Sequence, residues 1–576
     1  MKRTICVLLL TAALPAYRAN GQEFGFLGLF GKGKSMKLNG GLNAAFVYSQ
    51  SSAASGREPF TMVAGGNLNL FFNGISVPIS FSYSNAKVSA SPAMYFNKFS
   101  LHPTYKWVTA HVGTTSMSFS PYTLNGHQFD GGGLELTPGL LKVKMMYGRL
   151  LRGTGDYLAA PDAIPGYKRM GGGVSAEYTW KGVLLGVSAF HAKDDSATAW
   201  NIPFEKQITP KENLATSVNT SFTLLKNIKV AAEYATSYLT QDQFSRAAEQ
   251  TGKGWLSGMI RKNGSTVADH AVHAKASYAF QQSEAAVDYE RVDAGYQCLG
   301  AYYNQNGFEN TQLRYSTALF HKKLFIAPAL GIQRDLSDSA ASQQSKRLLT
   351  SMAATYTPFE RLTLRGTYSN TSAVTNFRNL DNIASGNNLV PYYLDSIKLV
   401  QLNRNAGLDA TYLLEAGRDK TQSLSASYTL QHSTKKQGDY FVPEEASDYH
   451  NGALMLSTSY PQTTVQWSAG FNYMLAAMGG SMRTTAYGPN FSFGKKLFQK
   501  KLSALLGVAY NTTQTNITRT YASVMNTRCN FSYTYKQRNE FRLSGIWQLR
   551  NTGNHITSVS QHGSDLLVTL NYNYNF

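Results

Sequence analysis

The sequence predicts an all-β protein, a single closed antiparallel transmembrane β-barrel of about 26 strands, within roughly 22–28. Three observations lead there. Apolar and polar residues alternate with period two along most of the chain. After the N-terminal region, nothing approaches ~20 consecutive apolar residues, which excludes a helical span. The connections between alternating segments are tight and long in turn, the asymmetry of a barrel with short periplasmic turns and long extracellular loops.

In chain order, Lys2 and Arg3 precede an apolar run from Ile5 to Leu14, and Ala19-Asn20-Gly21 follows with small residues suited to cleavage. This is the layout of a secretory signal peptide over 1–21, so the chain is expected to be exported, to the outer membrane of a Gram-negative cell. Residues 22–36 are expected to form a short periplasmic segment and 37–576 the barrel. Gly28 to Ser35 fits the phosphate-loop pattern letter for letter, but that loop needs a buried strand before it and a helix after it. Here it leads into an alternating strand, and nucleotide binding is not expected. Beyond Cys6 in the leader, only Cys298 and Cys529 remain, too few for a disulfide framework.

The first strand carries Leu38, Leu42, Ala44, Phe46 and Tyr48 on one parity. Ile75, Val77, Ile79, Phe81 and Tyr83 follow, then Leu424, Ala426, Tyr428 and Leu430, then Val465, Trp467, Ala469, Phe471 and Tyr473. Of these, Phe81, Tyr83, Tyr428, Trp467, Phe471 and Tyr473 are assigned to the lipid face. The chain ends DLLVTLNYNYNF, in which Leu566, Val568, Leu570, Tyr572, Tyr574 and Phe576 alternate with polar residues. A terminal strand this regular needs a partner on its open edge, and the first strand supplies one if the sheet closes. Tight connections fall at 73–74, 138–139, 181–182, 226–227, 321–323 and 460–462. Long ones fall at 151–167, 194–211, 240–267, 294–309, 372–395 and 435–447.

The opposite parity points Glu135, Lys142, Lys144, Lys229, Glu233, His273, Lys275, Asp288, Glu290, Arg365, Asp409 and Arg542 into the lumen. The signs nearly balance, so the formal net charge of +20 does not imply anion selectivity. Much of the excess lies beside the short turns, where basic side chains suit an anionic lipid surface. A barrel this wide must be filled or covered, by inward-folded loops, of which 240–267 and 372–395 are the longest, or by a partner protein. No G-x-S-x-G elbow or zinc-ligand spacing is present, and His270 and His273, three apart on a strand, face opposite ways. Neither enzymatic activity, a cofactor, a metal nor a nucleic-acid partner is expected.

The stretch KFSLHPTYKWVTAHVGTTSMSFSPYTLNGHQFDGGGLELTPG at 98–139, MMYGRL at 145–150 and VDYERVDAGYQCLGAYY at 287–303 resemble the large outer-membrane β-barrel proteins of the Bacteroidetes. The resemblance implies that Tyr572, Tyr574 and Phe576 form the signal read by the outer-membrane insertion machinery. The plug and energy-coupling box of TonB-dependent receptors have no counterpart in the sequence, an expectation against active uptake. Two functions stand open: a porin-like channel for small polar solutes constricted by long loops, or a non-transport barrel that docks a periplasmic or surface partner in secretion or surface display. Outer-membrane lipids are expected partners in both.

Overall fold

The computed structural model describes residues 36–576 apart from 53–58, 86–97, 160–164, 203–207, 247–259, 261, 302–305, 337–345, 378–396, 438–439, 480, 555 and 557–558. The leader, the segment 22–35 and the phosphate-loop-like stretch therefore lie outside the described residues.

Each strand pairs antiparallel with its neighbours in sequence, and the sheet closes on itself. Lys98–Leu101 and Thr104–Tyr105 occupy one position between Ile75–Ser84 and Val108–Ser118, so the barrel has 26 staves. At the seam Lys37–Ser51 meets Val559–Asn575, with Leu42 opposite Tyr574, Ala44 opposite Tyr572 and Phe46 opposite Leu570. The Phe576 N–H donates to the Gly40 carbonyl at 2.9 Å. Both termini of the barrel lie at the short-turn end, as an even stave number requires.

The tight connections stand where the sequence places them, whereas 435–447 does not form a long loop. Thr421–Gln437 and Tyr440–Tyr460 continue as strands to within two residues of each other. Strand pairing that extends past the bilayer has water on both faces, which removes the apolar parity that marks a strand in sequence.

The short turns carry a distinctive backbone. Lys106, Lys181, Lys226, Lys322, Lys500 and Lys536 all have φ between 47° and 69°. That left-handed conformation costs a side-chain-bearing residue ~1 kcal/mol and is usually left to Asn or Gly.

Register separates the two faces. Ser175, Ser188, Ser217, Ala235, Ala271 and Val292 are successive partners across six strands, and all are buried. In a neighbouring row of opposite parity, Ala176, Val187, Val218, Tyr234 and Val272 run the same way, and Val187, Val218 and Tyr234 are exposed. Twenty-six strands about 4.8 Å apart and tilted about 40° close into a ring roughly 50 Å across, far more than facing side chains fill.

Candidate functional site

Two connections bridge the interior, the short 119–124 and the first part of the long connection 294–309. Residues 119–124 join Val108–Ser118 to Asn125–Leu136, and 293–301 follow Ser283–Val292. They meet where the Asn125 N–H donates to the Gly300 carbonyl at 3.0 Å and Ala301 bridges to Asn125 and Gly126. A contact between such distant arcs of the ring runs as a chord through its inside.

The chord has a packed core: Phe119, Tyr122, Leu124, Tyr296 and Cys298 lie against Met117, Phe129, Met146, Leu150 and Phe190 of the wall. Burying each large apolar side chain contributes roughly 1.5–3 kcal/mol. Glycines on both sides give room, since a Cβ on Gly173 of the wall would come within 2.8 Å of the Phe119 ring and one on Gly300 of the chord within 2.6 Å of Phe190. Polar groups of the chord are satisfied at the wall. Tyr296 OH donates to the Tyr122 carbonyl at 2.6 Å, Thr123 and Ser188 hydroxyls lie 3.0 Å apart, and Asn213 Oδ1 accepts from the Leu299 N–H at 3.1 Å. The Gln297 carbonyl accepts from Ser237 Oγ at 2.6 Å.

Beneath the chord is an ionisable cluster. Tyr122 OH donates to Glu290 Oε1 at 2.7 Å, His273 Nε2 lies 3.2 Å from Asp288 Oδ1, and Arg314 reaches Asp288 at 3.7 Å. Burial, and then the bond to Glu290, hold the Tyr122 hydroxyl protonated far above the usual phenol range. Burial does the same to Tyr296 and pushes the Cys298 thiol up to about 12. Neither Cys298 nor Cys529 takes part in a disulfide. Among the described residues no group of three or more His, Cys, Asp or Glu is placed to hold a metal.

All twelve residues assigned to the lumen share the face that carries the chord, and the structure groups them unevenly. Glu233, His273 and Glu290 are successive register partners, as are Lys275 with Asp288 and Lys142 with Glu177. Glu135 faces Lys144, whose Nζ donates to the Ser118 carbonyl at 2.7 Å at the foot of the chord. Lys229 stands between Thr223 and Ser277. Away from this arc, Arg365 faces Asp409, and Arg542 Nε donates to Glu540 Oε1 at 2.7 Å. Phe81, Tyr83, Tyr428, Trp467, Phe471 and Tyr473 take the opposite face, and Tyr572 and Tyr574 lie on it at the seam. His270 bonds Tyr234 OH on the outer parity at 2.8 Å, while His273 points inward.

One chord-forming segment, 293–301, overlaps the long connection 294–309, whereas 119–124 is not among the long connections and the two longest loops take another course. Of 240–267, the described part sits at the rim: Gln243 Nε2 donates to the Asp194 and Lys211 carbonyls, and Lys262 lies over the outward Tyr238 ring. Of 372–395, residues up to 377 continue the strand Leu362–Phe377 and the remainder lies outside the described residues. Tyr122, Phe190 and Asn213 escape a reading based on loop length, whereas Tyr296 falls in the long connection 294–309. The glycine run 171–173 in the wall is the signal that marks where the Phe190 and Phe119 rings are seated.

The inner face beyond the chord is of another character. From Leu362 to Met478 it carries Thr367, Ser369, Asn405, Ser425, Ser427, Thr429, Gln431, Asn451, Ser468 and Asn472, interrupted by Arg365 and Asp409 as its charges among the described side chains.

Neither a family model nor a curated protein matches the chain. Solved structures similar to it include the translocation pore of the P pilus usher PapC, at 9% identity over 94% of this chain and 99% of that one, TM-score 0.33. The ferric yersiniabactin uptake receptor FyuA of Yersinia pestis is similar at 9% identity over 94% and 80%, TM-score 0.41. Pseudomonas aeruginosa OccK5 is similar at 10% identity over 77% and 98%, TM-score 0.31.

Proposed function

We propose that the chain is an outer-membrane channel that passes small polar solutes along the part of the lumen the chord leaves aside. The observation that carries this reading is the division of the inner face. One arc carries a packed core, while among the described side chains the arc from Leu362 to Met478 is lined chiefly by hydroxyls and amides with one facing pair of opposite charge. Such a wall exchanges hydrogen bonds with water and uncharged polar solutes and favours neither sign of ion. The outer face suits hydrocarbon by the same alternation, which supports an outer-membrane setting. Tyr572, Tyr574 and Phe576 serve the insertion machinery before they close the seam.

Single-channel recording in planar bilayers tests the reading. Folded, full-length barrel is expected to conduct, with a reversal potential near zero under a KCl gradient. Absence of conductance from folded protein would overturn the channel reading and leave the barrel as a scaffold for a secretion or surface-display partner.

A further inference from the structure

We propose that the short-turn rim is a binding surface for anionic phospholipid headgroups, formed by lysines at the turn tips and the apolar side chains beside them. This goes beyond conduction and holds whether or not the lumen passes solutes.

The argument begins with backbone cost. Lys106, Lys181, Lys226, Lys322, Lys500 and Lys536 occupy left-handed positions that Asn or Gly would fill with less strain. An ammonium is thus presented at this rim against the conformational preference of the turn. Glu360 and Asp419 are the acids within the short turns, so the ring is strongly cationic.

The direction of the charges identifies the occupant. Lys106 Nζ lies 5.2 Å from the Tyr105 ring centre, Lys181 Nζ 4.9 Å from that of Trp180, and Lys536 Nζ 5.3 Å from that of Tyr535. All three rings take the outer parity, opposite Thr104, Glu177 and Ser532. These ammonium groups therefore sit over the outer wall, where headgroups surround a membrane barrel, and not over the lumen.

Apolar exposure supplies the second half of the surface. Leu225, Phe498 and Phe320, each beside a turn lysine, are 77%, 71% and 67% exposed. Such side chains at a turn tip suit the boundary between headgroups and acyl chains, and paired with lysine they match an anionic lipid surface. A lumen ligand would meet neither feature.

The test is the association of spin-labelled phosphatidylglycerol, relative to spin-labelled phosphatidylcholine, with full-length barrel folded in phosphatidylcholine membranes. An about five-fold preference is expected, the ratio set by one lysine near an anionic headgroup, and it should shrink as salt is raised. Replacing the six lysines together (K106N, K181N, K226N, K322N, K500N, K536N) removes half of the basic residues in the short turns and leaves residues suited to the turn, and should lower the preference about two-fold or more. The corresponding arginine variants should keep it. A preference unchanged in the asparagine variant, or one insensitive to salt in the wild type, would overturn the proposal. So would a wild type with no preference, which would leave the lysines to an acidic protein partner.

Discussion

Replacing Phe471 with arginine separates the two faces of the wall by energy. Phe471 lies at the middle of Val465–Met478 on the outer parity, with Leu454 and Pro489 as register partners and the Tyr487 ring 6.5 Å away. A guanidinium on the lipid face near the midplane costs ~2–4 kcal/mol, or roughly 30- to 900-fold in the folding equilibrium. The adjacent Asn472 faces Ala453 and Gly488 on the inner parity. An arginine there extends into the lumen, and its cost is expected within about 0.5 kcal/mol. Trp467→Arg, nearer the short turn, should cost less than Phe471→Arg, and Ser468→Arg should be tolerated. The assay is a urea titration of folding into phosphatidylcholine vesicles, followed by the heat-modifiable electrophoretic mobility of the folded barrel. Equal penalties for Phe471→Arg and Asn472→Arg would refute the assignment of faces.

Gly300→Leu should drive its side chain into Phe190, dislodge 293–301 and raise single-channel conductance several-fold; unchanged conductance would remove the chord from the conduction path. Asp194→Ala strips the partner from Arg169, whose Nε lies 2.7 Å from Asp194 Oδ1 near the long-loop end, and should lower stability by ~3–5 kcal/mol in guanidinium unfolding. Cys298 should resist iodoacetamide at pH 8 in the folded barrel and react once the chain is unfolded, because burial raises the thiol to about 12. The sign of the linkage follows: this group's contribution to stability is complete below the unfolded thiol range near pH 8.5 and is lost as pH rises toward 12. Rapid alkylation of Cys298 in folded protein would contradict the packing of the chord. Deleting Phe576, which bonds Gly40 at the seam, should slow assembly in cells more than it lowers the stability of barrel already folded, as pulse-labelling of the heat-modifiable form would show.

Much of the barrel was legible because one parity of each strand must be apolar wherever it crosses hydrocarbon. That single constraint places Leu42, Ala44, Phe46 and Tyr48 against Tyr574, Tyr572, Leu570 and Val568, and it orients the twelve inner residues, since a slip of one position would reverse every side chain. The constraint vanishes beyond the membrane. There the segment 435–447 alternates in nothing, and it reads as a loop although 435–437 pair with 440–442. Loop length finds only half of what enters the lumen, since 294–309 is long and 119–124 is short. The six residues 119–124 are too few to attract notice, and their inward course depends on Phe119 and Leu124 finding a wall thinned by glycine. Such seating joins segments far apart in sequence. The stretches 98–139 and 287–303, singled out by their wording, contain both halves of the chord.

Closure of the ring is what gives the chain an inside, and a cysteine pair across the seam tests it most directly. Ala44 and Tyr572 are register partners of the first and last strands. With Cys298 and Cys529 replaced by serine, Ala44→Cys with Tyr572→Cys should form a disulfide in membranes under mild oxidation, seen as a mobility shift reversed by reductant. The displaced pair Ala44→Cys with Val568→Cys should not. Failure of the first pair to cross-link in folded protein, or equal cross-linking by both, would contradict a barrel closed in this register.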